Sequence, residues 1–252
     1  MIWPFEALGR NISRTKAQKS VHTNAAPRQM LTIIIPTLNA AAGLSETLAS
    51  IGSCDLLKEV IVVDGGSMDK TRKIAMAANA TIVDAPKGRG QQLAAGARLA
   101  HSDWLLFLHA DSRLASDWPQ AFASFIANPE SARRAGYFRF ALDDDAPAAR
   151  RVETAVYWRN RVLGLPYGDQ GILIGRAFYH ELGGYRRIPL MEDVNLVRRV
   201  GRRRLVMLAA EAVTSAEKYR REGYRRRVLR NALCLTLYTL GVPPRLLASL
   251  YR

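Results

Sequence analysis

Three aspartates stand where chemistry would be expected: Asp64 in VIVVDGGS, Asp111 in LLFLHADS and Asp193 in PLMEDVNL. Carboxylates gathered at one sheet edge repel one another, a cost that a bound cation or a catalytic task would offset. Singly, each also suits a turn or a helix start, where Asp is favoured. Three at corresponding positions point to function. In Asp64-Gly65-Gly66-Ser67 the glycines permit close approach by a ligand, and the carboxylate could accept from a nucleobase N–H. Gly88-Arg89-Gly90 with Gln91 and Gln92 reads either as a plain loop or as a cation beside a helix N-terminus, a setting for a diphosphate. His109 and Asp111 could face one Mg2+ or Mn2+, though His109 suits a structural role equally well. Glu192 and Asp193 open a helix on which neighbours diverge by about a quarter turn, so one of them faces the sheet edge. Asp193 is the choice, which leaves Glu192 for the first helical turn.

The elements that must hold these residues alternate. Leu31 to Ile35, Glu59 to Val63, Ala80 to Val83 and Trp104 to Leu108 are short apolar runs of strand type. Helical periodicity lies between them at Leu44 to Ile51, Asp69 to Ala78 and Gln91 to Ala100. The pattern implies an α/β fold, a Rossmann-like, mostly parallel, doubly wound sheet with ligands off the strand C-termini. Further along, Ala135 to Leu142 reads as an exposed strand, Leu205 to Leu208 as the last strand, and Glu217 to Leu240 and Arg245 to Tyr251 as helices. The expected organisation is a flexible basic arm over 1–30, a catalytic domain over 31–215 and basic amphipathic helices over 216–252. No Gly-Lys-Ser/Thr loop and no GxGxxG follows the first strand, which excludes those phosphate-binding motifs.

The net charge is +15, and Gly201 to Arg252 hold 12 of the 37 basic residues but only 3 of the 22 acidic ones. Basicity is therefore a C-terminal feature that favours polyanionic partners. No run of 18 apolar residues is present, which argues against an integral membrane protein, and residues 1–30 lack a signal-type apolar core. A cytoplasmic protein is expected.

Taken together, IIIPTLN (33–39), VIVVDGGSMDKT (60–71), GRGQQLAAGA (88–97), LLFLHADS (105–112), YGDQG (167–171) and PLMEDVNLVRRV (189–200) resemble the family-2 glycosyltransferases. The HAD, GRG and GDQG forms resemble the bacterial radical-SAM/selenodomain-associated subgroup, often labelled arsenosugar-type. This resemblance implies a GT-A fold and an inverting enzyme that uses a UDP- or GDP-sugar. It implies Asp64 at the nucleobase, Asp111 at the metal and diphosphate, and Asp193 as general base on an acceptor hydroxyl. Pro36, Thr37, Asn39, Gly65, Arg89 and Gln92 would line the nucleotide-sugar site, with Asp169, Gln170 and Glu192 on the sugar or acceptor side. Ala40 stands where the family usually has Glu, Ala94 where it has Asn, and His109 where it has the first Asp of DxD. One rival is a nucleotidyltransferase, which would release pyrophosphate. A nucleic-acid binder using the C-terminal arginines would leave the three carboxylates without a role, so no nucleic-acid partner is expected. Those arginines, mixed with Leu233, Leu235, Leu237 and Tyr238, suit either a peripheral anionic membrane contact or packing on the catalytic domain.

Overall fold

The computed structural model describes residues 29–251. Its first half alternates as β1 (Leu31–Thr37), α1 (Ala41–Ile51), β2 (Leu57–Asp64), α2 (Thr71–Ala77), β3 (Thr81–Asp84), α3 (Arg89–Leu99) and β4 (Trp104–Phe107). Strand β1 pairs in parallel with β2 on one side and with β4 on the other, and β2 pairs in parallel with β3. The unbroken apolar run of β1 is the consequence: Leu31, Ile33 and Ile35 face one helical layer, Ile34 faces the other, and all are buried.

The second half runs β5 (Ser112–Leu114), α4 (Trp118–Ile126), β6 (Ala135–Leu142), α5 (Pro147–Leu163), β7 (Ile172–Gly175), α6 (Arg176–Glu181), α7 (Glu192–Val200), β8 (Leu205–Thr214), α8 (Glu217–Glu222), α9 (Tyr224–Thr239) and α10 (Pro244–Tyr251). One sheet takes the order β3-β2-β1-β4-β7-β6-β8-β5. Strand β7 is antiparallel to both its neighbours, β8 is parallel to β6, and β5 is antiparallel to β8. Helices α1, α2 and α4 cover one face with Leu44, Ala75, Trp118 and Phe122; α3, α6 and α7 cover the other with Leu93, Phe178, Leu196 and Val197. This is the doubly wound, mostly parallel α/β architecture that the alternation implies.

Four local readings need correction. Strand β6 is interior, flanked by β7 and β8, and Arg139 alone of its eight residues is exposed. Strand β8 runs to Thr214, six residues beyond Leu208, because its far end pairs with β6 and β5. Strand β5 was not anticipated at all. The helix expected over Glu217 to Leu240 breaks at Gly223, whose φ of 85° ends α8 and starts α9.

The C-terminal helices pack on the sheet domain. Cys234 of α9 and Leu247 of α10 are buried against Leu190, Met191 and Val194 at the start of α7. Tyr219 of α8 packs with Phe140, Leu142 and Val152. Of the basic arm, residues 1–28 lie outside the described residues. Gln29 and Met30 are tied down, since Trp104 Nε1 donates to Gln29 Oε1 (2.9 Å) and Met30 N–H donates to Asp103 Oδ2 (3.0 Å). Among the described residues no helix is long and apolar enough to cross a membrane.

Candidate active site

Beyond the C-terminal ends of β1 and β4 lies the crevice where strand order reverses, the usual ligand position in such sheets. Two clefts meet there. One, of about 400 Å³, includes Pro36, Asn39, Gly43 and Arg113 in its lining. The other, of about 320 Å³, includes Tyr167, Asp169, Asp193 and side chains of α8 and α9. Arg89, His109, Asp111, Ser215 and Lys218 border both, so Asp111 sits at the seam.

Asp64, at the tip of β2, is 1% exposed and internally satisfied. It accepts from Thr37 Oγ1 (3.0 Å), Ser67 Oγ (2.5 Å), Ser67 N–H (2.9 Å) and Gly66 N–H (3.2 Å), with Arg72 Nη1 at 3.5 Å. Burial alone would raise its pKa, but these hydrogen bonds outweigh burial and hold it below the usual value. Asp64 thus shapes the loop rather than lining either cleft. Gln92 is likewise spent: its amide donates to Thr37 O (2.7 Å) and Val63 O (2.8 Å), joining the tips of β1 and β2. Thr37 is buried, and Gly65 lies against the Gln92 amide. Asn39 does border the first cleft. Its left-handed backbone (φ 49°) is held because its N–H donates to Ser67 Oγ (2.9 Å) and its Oδ1 accepts from Met68 N–H (2.9 Å).

Glu192 does more than occupy a first helical turn. It is 1% exposed, and its Oε1 lies 2.6 Å from Arg89 Nε, while Arg89 Nη1 lies 3.3 Å from His109 Nε2. Helix α3 and helix α7 therefore clamp one guanidinium at the seam of the clefts. Burial pushes Glu192 up against the opposing pull of Arg89. Burial and the same guanidinium drive His109 down to about 4, so its ring is neutral at pH 7. That contact gives Nε2 to Arg89, which speaks against this nitrogen as a metal ligand. Asp111 is a third exposed, with Lys218 Nζ 3.2 Å from its Oδ2. Burial would raise its pKa, but Lys218 first, with His109 and Arg89, brings it below the ordinary value.

Asp193 faces the second cleft at the N-terminus of α7, where the helix dipole favours negative charge. Its Oδ2 accepts from Gly168 N–H at 2.8 Å, and its Oδ1 from Val194 N–H at 2.7 Å. Met191, two residues before Asp193 at the cap of α7, is buried with φ 65°, a left-handed backbone in a bulky side chain of the kind that clusters at functional sites. Gly168 must be glycine: a β-carbon there would lie 2.6 Å from His109 Nε2. The next residue, Asp169, borders the cleft with a buried Oδ1 that has no hydrogen-bond partner. Burial, with Asp193 and Asp111 nearby, raises its pKa to about 6 despite Arg159. Ser112 Oγ on β5 and Thr214 Oγ1 on β8 each donate to the Asp169 carbonyl at 3.2 Å. Gln170 is buried away from the cleft, accepting from Arg159 and Asn160 at 3.1 Å and donating to Phe138 O at 3.1 Å.

A family model described as glycosyl transferase family 2 matches residues 32–177, more than half of the chain. The chain belongs to glycosyltransferase family 2. A curated relative, the PGL/p-HBAD biosynthesis glycosyltransferase of Mycobacterium bovis, is 42% identical over 116 residues, covering 42% of this chain and 44% of its own length. This family-2 chain therefore matches under half the length of that relative. Among solved structures, S. aureus TarS in complex with UDP-GlcNAc aligns with a TM-score of 0.59 at 16% identity, over 74% of this chain and 58% of that one. The mannosyltransferase PcManGT from Pyrobaculum calidifontis, in complex with GDP-Man and Mn2+, aligns with a TM-score of 0.57 at 20% identity, over 83% and 62%. At such identities the likeness shows the fold, and the fold of this family-2 chain is GT-A.

In this family-2 site the structure brings Pro36, Asn39, Arg89, His109, Asp111, Asp169 and Asp193 to the clefts. It places Thr37, Asp64, Gly65, Gln92, Gln170 and Glu192 behind them, as the framework that holds the first set. Sequence reasoning missed Gly168 and Lys218. Gly168 lies within the YGDQG motif, where nothing local distinguishes it from an ordinary tight-loop glycine. Lys218 reads in the sequence only as part of a basic tail.

Proposed function

We propose that this chain transfers a sugar from a nucleoside-diphosphate sugar to an acceptor hydroxyl with inversion at the anomeric carbon, Asp193 acting as general base. The observation that carries the reading is the placement of Asp193. It is fixed by Gly168 and opens onto one cleft, which it shares with Asp111 at the seam with the other. The cleft bordered by Pro36 and Asn39 takes the donor; the cleft over Asp193 takes the acceptor. Arg89, held by Glu192, and Lys218 present positive charge to the diphosphate as its bond to the sugar breaks.

Asp111 fits a Mg2+ or Mn2+ of the sparsely ligated kind. Among the described residues no group of three or more His, Cys, Asp or Glu could enclose an ion, so Asp111 would supply one oxygen, with phosphate oxygens and water completing the shell. When bound, the ion would neutralise charge on the departing diphosphate. Membership of the arsenosugar-type subgroup rests on the HAD, GRG and GDQG motifs alone. A peripheral contact with anionic membrane, on the inner face of the cell membrane, is supported by exposed Leu229, Leu233 and Leu246 beside Arg225, Arg226 and Arg245. Failure of the chain to pellet with anionic vesicles removes it.

The deciding experiment is Asp193→Asn. Positioned general base catalysis is worth ~10²- to 10⁴-fold, so release of nucleoside diphosphate with acceptor falls by about that factor. Protection of the variant against thermal unfolding by UDP or GDP persists. An active variant, or release of pyrophosphate by the parent, ends the assignment.

A further inference from the structure

One wall of the cleft that Asp193 borders is built by the C-terminal helices, and it carries positive charge that the transfer step does not use. Helices α8 and α9 bring Arg221, Glu222, Arg227, Arg230 and Asn231 to it. The Glu222 carboxylate accepts from Arg227 Nη1 at 3.3 Å through both oxygens and from Arg230 Nη2 at 2.5 Å, and lies 3.6 Å from Arg221 Nη2. One carboxylate thus answers three guanidinium groups. The side chain of Arg227 is only 14% exposed, and positive charge held that far from water, with a carboxylate shared among three guanidinium groups, favours a further anion. Arg227 Nε is buried with no hydrogen-bond partner. The floor of the same cleft is acidic, with Asp111, Asp169 and Asp193.

We infer that this wall is a phosphate subsite for the acceptor: a phosphate group docks on Arg227 and Arg230 while the reacting hydroxyl lies over Asp193. The inference rests on the transferase reading above and adds the chemical class of the acceptor. Guanidinium forks match phosphate oxygens in pairs, and the acidic floor repels the same group, so an acceptor with a phosphate at one end and a hydroxyl at the other enters in one orientation. A cleft of about 320 Å³ is of the size that takes a small ligand. The phosphate can belong to a soluble phosphorylated polyol or to a lipid headgroup.

The test uses the full chain, a panel of UDP- and GDP-sugars, and acceptors in matched pairs: glycerol against glycerol 3-phosphate, and glucose against glucose 6-phosphate. Phosphatidylcholine vesicles with and without phosphatidylglycerol, whose headgroup carries both a phosphate and free hydroxyls, form the lipid arm. Two readouts are taken, release of nucleoside diphosphate and the thermal midpoint. The phosphorylated member of a pair, or the phosphatidylglycerol vesicle, is expected to give kcat/KM at least about tenfold higher, the scale of one charged hydrogen bond. Arg227→Gln brings that ratio toward one through KM, and Arg227→Lys retains part of it. Glycerol 3-phosphate or glucose 6-phosphate raises the midpoint of the parent and of Asp193→Asn but not that of Arg227→Gln; if only phosphatidylglycerol acts, the headgroup is the source. Equal use of both members of every pair, or no midpoint shift with any phosphate compound while UDP or GDP still protects, overturns the subsite and leaves the transferase reading standing. A chain that neither binds nor releases nucleoside diphosphate overturns both.

Discussion

At the residue scale, the carboxylates visible in the sequence divide by what surrounds them. Asp64 and Glu192 are both 1% exposed and serve other residues, one by ordering a loop and the other by holding Arg89. Asp111, Asp169 and Asp193 meet the clefts. The sequence identified most of the relevant acids but not this division, because burial of a polar group depends on partners distant along the chain, such as Thr37 for Asp64 and Arg89 for Glu192. Asp169 provides a test. Its folded pKa of about 6 lies above the ordinary 3.8, so between those values the folded state alone keeps the proton. Stability contributed by that proton is fully present below 3.8 and is lost as pH rises toward about 6. Asp169→Asn should therefore be more stable than the parent above pH 6 by at most ~3 kcal/mol, less where water reaches the group, with the difference shrinking toward pH 4. Urea unfolding at a series of pH values checks it. A variant no more stable at pH 8 than the parent would falsify the burial of Asp169 as a costly charge.

At the element scale, the parallel half of the sheet was legible and the later half was not. Strands β1 and β4 and the second half of β2 are buried on both faces, so residues 31–35, 60–63 and 104–107 are largely apolar runs bounded by loops. Strand β5 has only three residues and exists through its pairing with β8, and β6 carries Arg139, which made an interior strand look exposed. Such pairings are long-range and leave little local signal. The start of α3 shows how tightly the elements must close to build the site. A β-carbon at Gly90 would collide with the carbonyl oxygen of Arg186 and lie 3.2 Å from Cβ of Glu192. A backbone atom cannot swing aside as a flexible side chain can, so Gly90→Ala must push α3 away from α7. The expected cost is ~1–3 kcal/mol, read as a lower urea midpoint with an unchanged slope. Because the shift separates Arg89 from Glu192, it should also weaken protection by UDP or GDP. A Gly90→Ala chain as stable as the parent would show that the two helices are free to move apart.

At the scale of the whole molecule, the C-terminal helices close the active site, although composition marked them only as a basic tail. They bring Lys218 to Asp111, the arginine wall to the cleft that Asp193 borders, and Cys234 and Leu247 to the apolar patch under Met191 and Val194. That last contact braces the strained residue that precedes Glu192, so the helices and the proposed base Asp193 should unfold together. Leu247 is fully buried, whereas Leu250, three residues later, is 57% exposed, which supplies an internal control. Leu247→Ala should cost ~2–4 kcal/mol by removing buried methyl groups and leaving a cavity. Leu250→Ala should change stability by less than about 0.5 kcal/mol, as surface substitutions do. The form of the transition matters as much as its midpoint. If α9 and α10 are integral, Leu247→Ala lowers the midpoint of a single transition seen alike by circular dichroism and by tryptophan fluorescence. It also slows transfer, because Met191 loses the packing that holds its backbone. If they form a separate appendage, the variant loses an early helical transition while the midpoint of the sheet domain and the transfer rate stay at parental values, and the bracing role assigned to Leu247 fails.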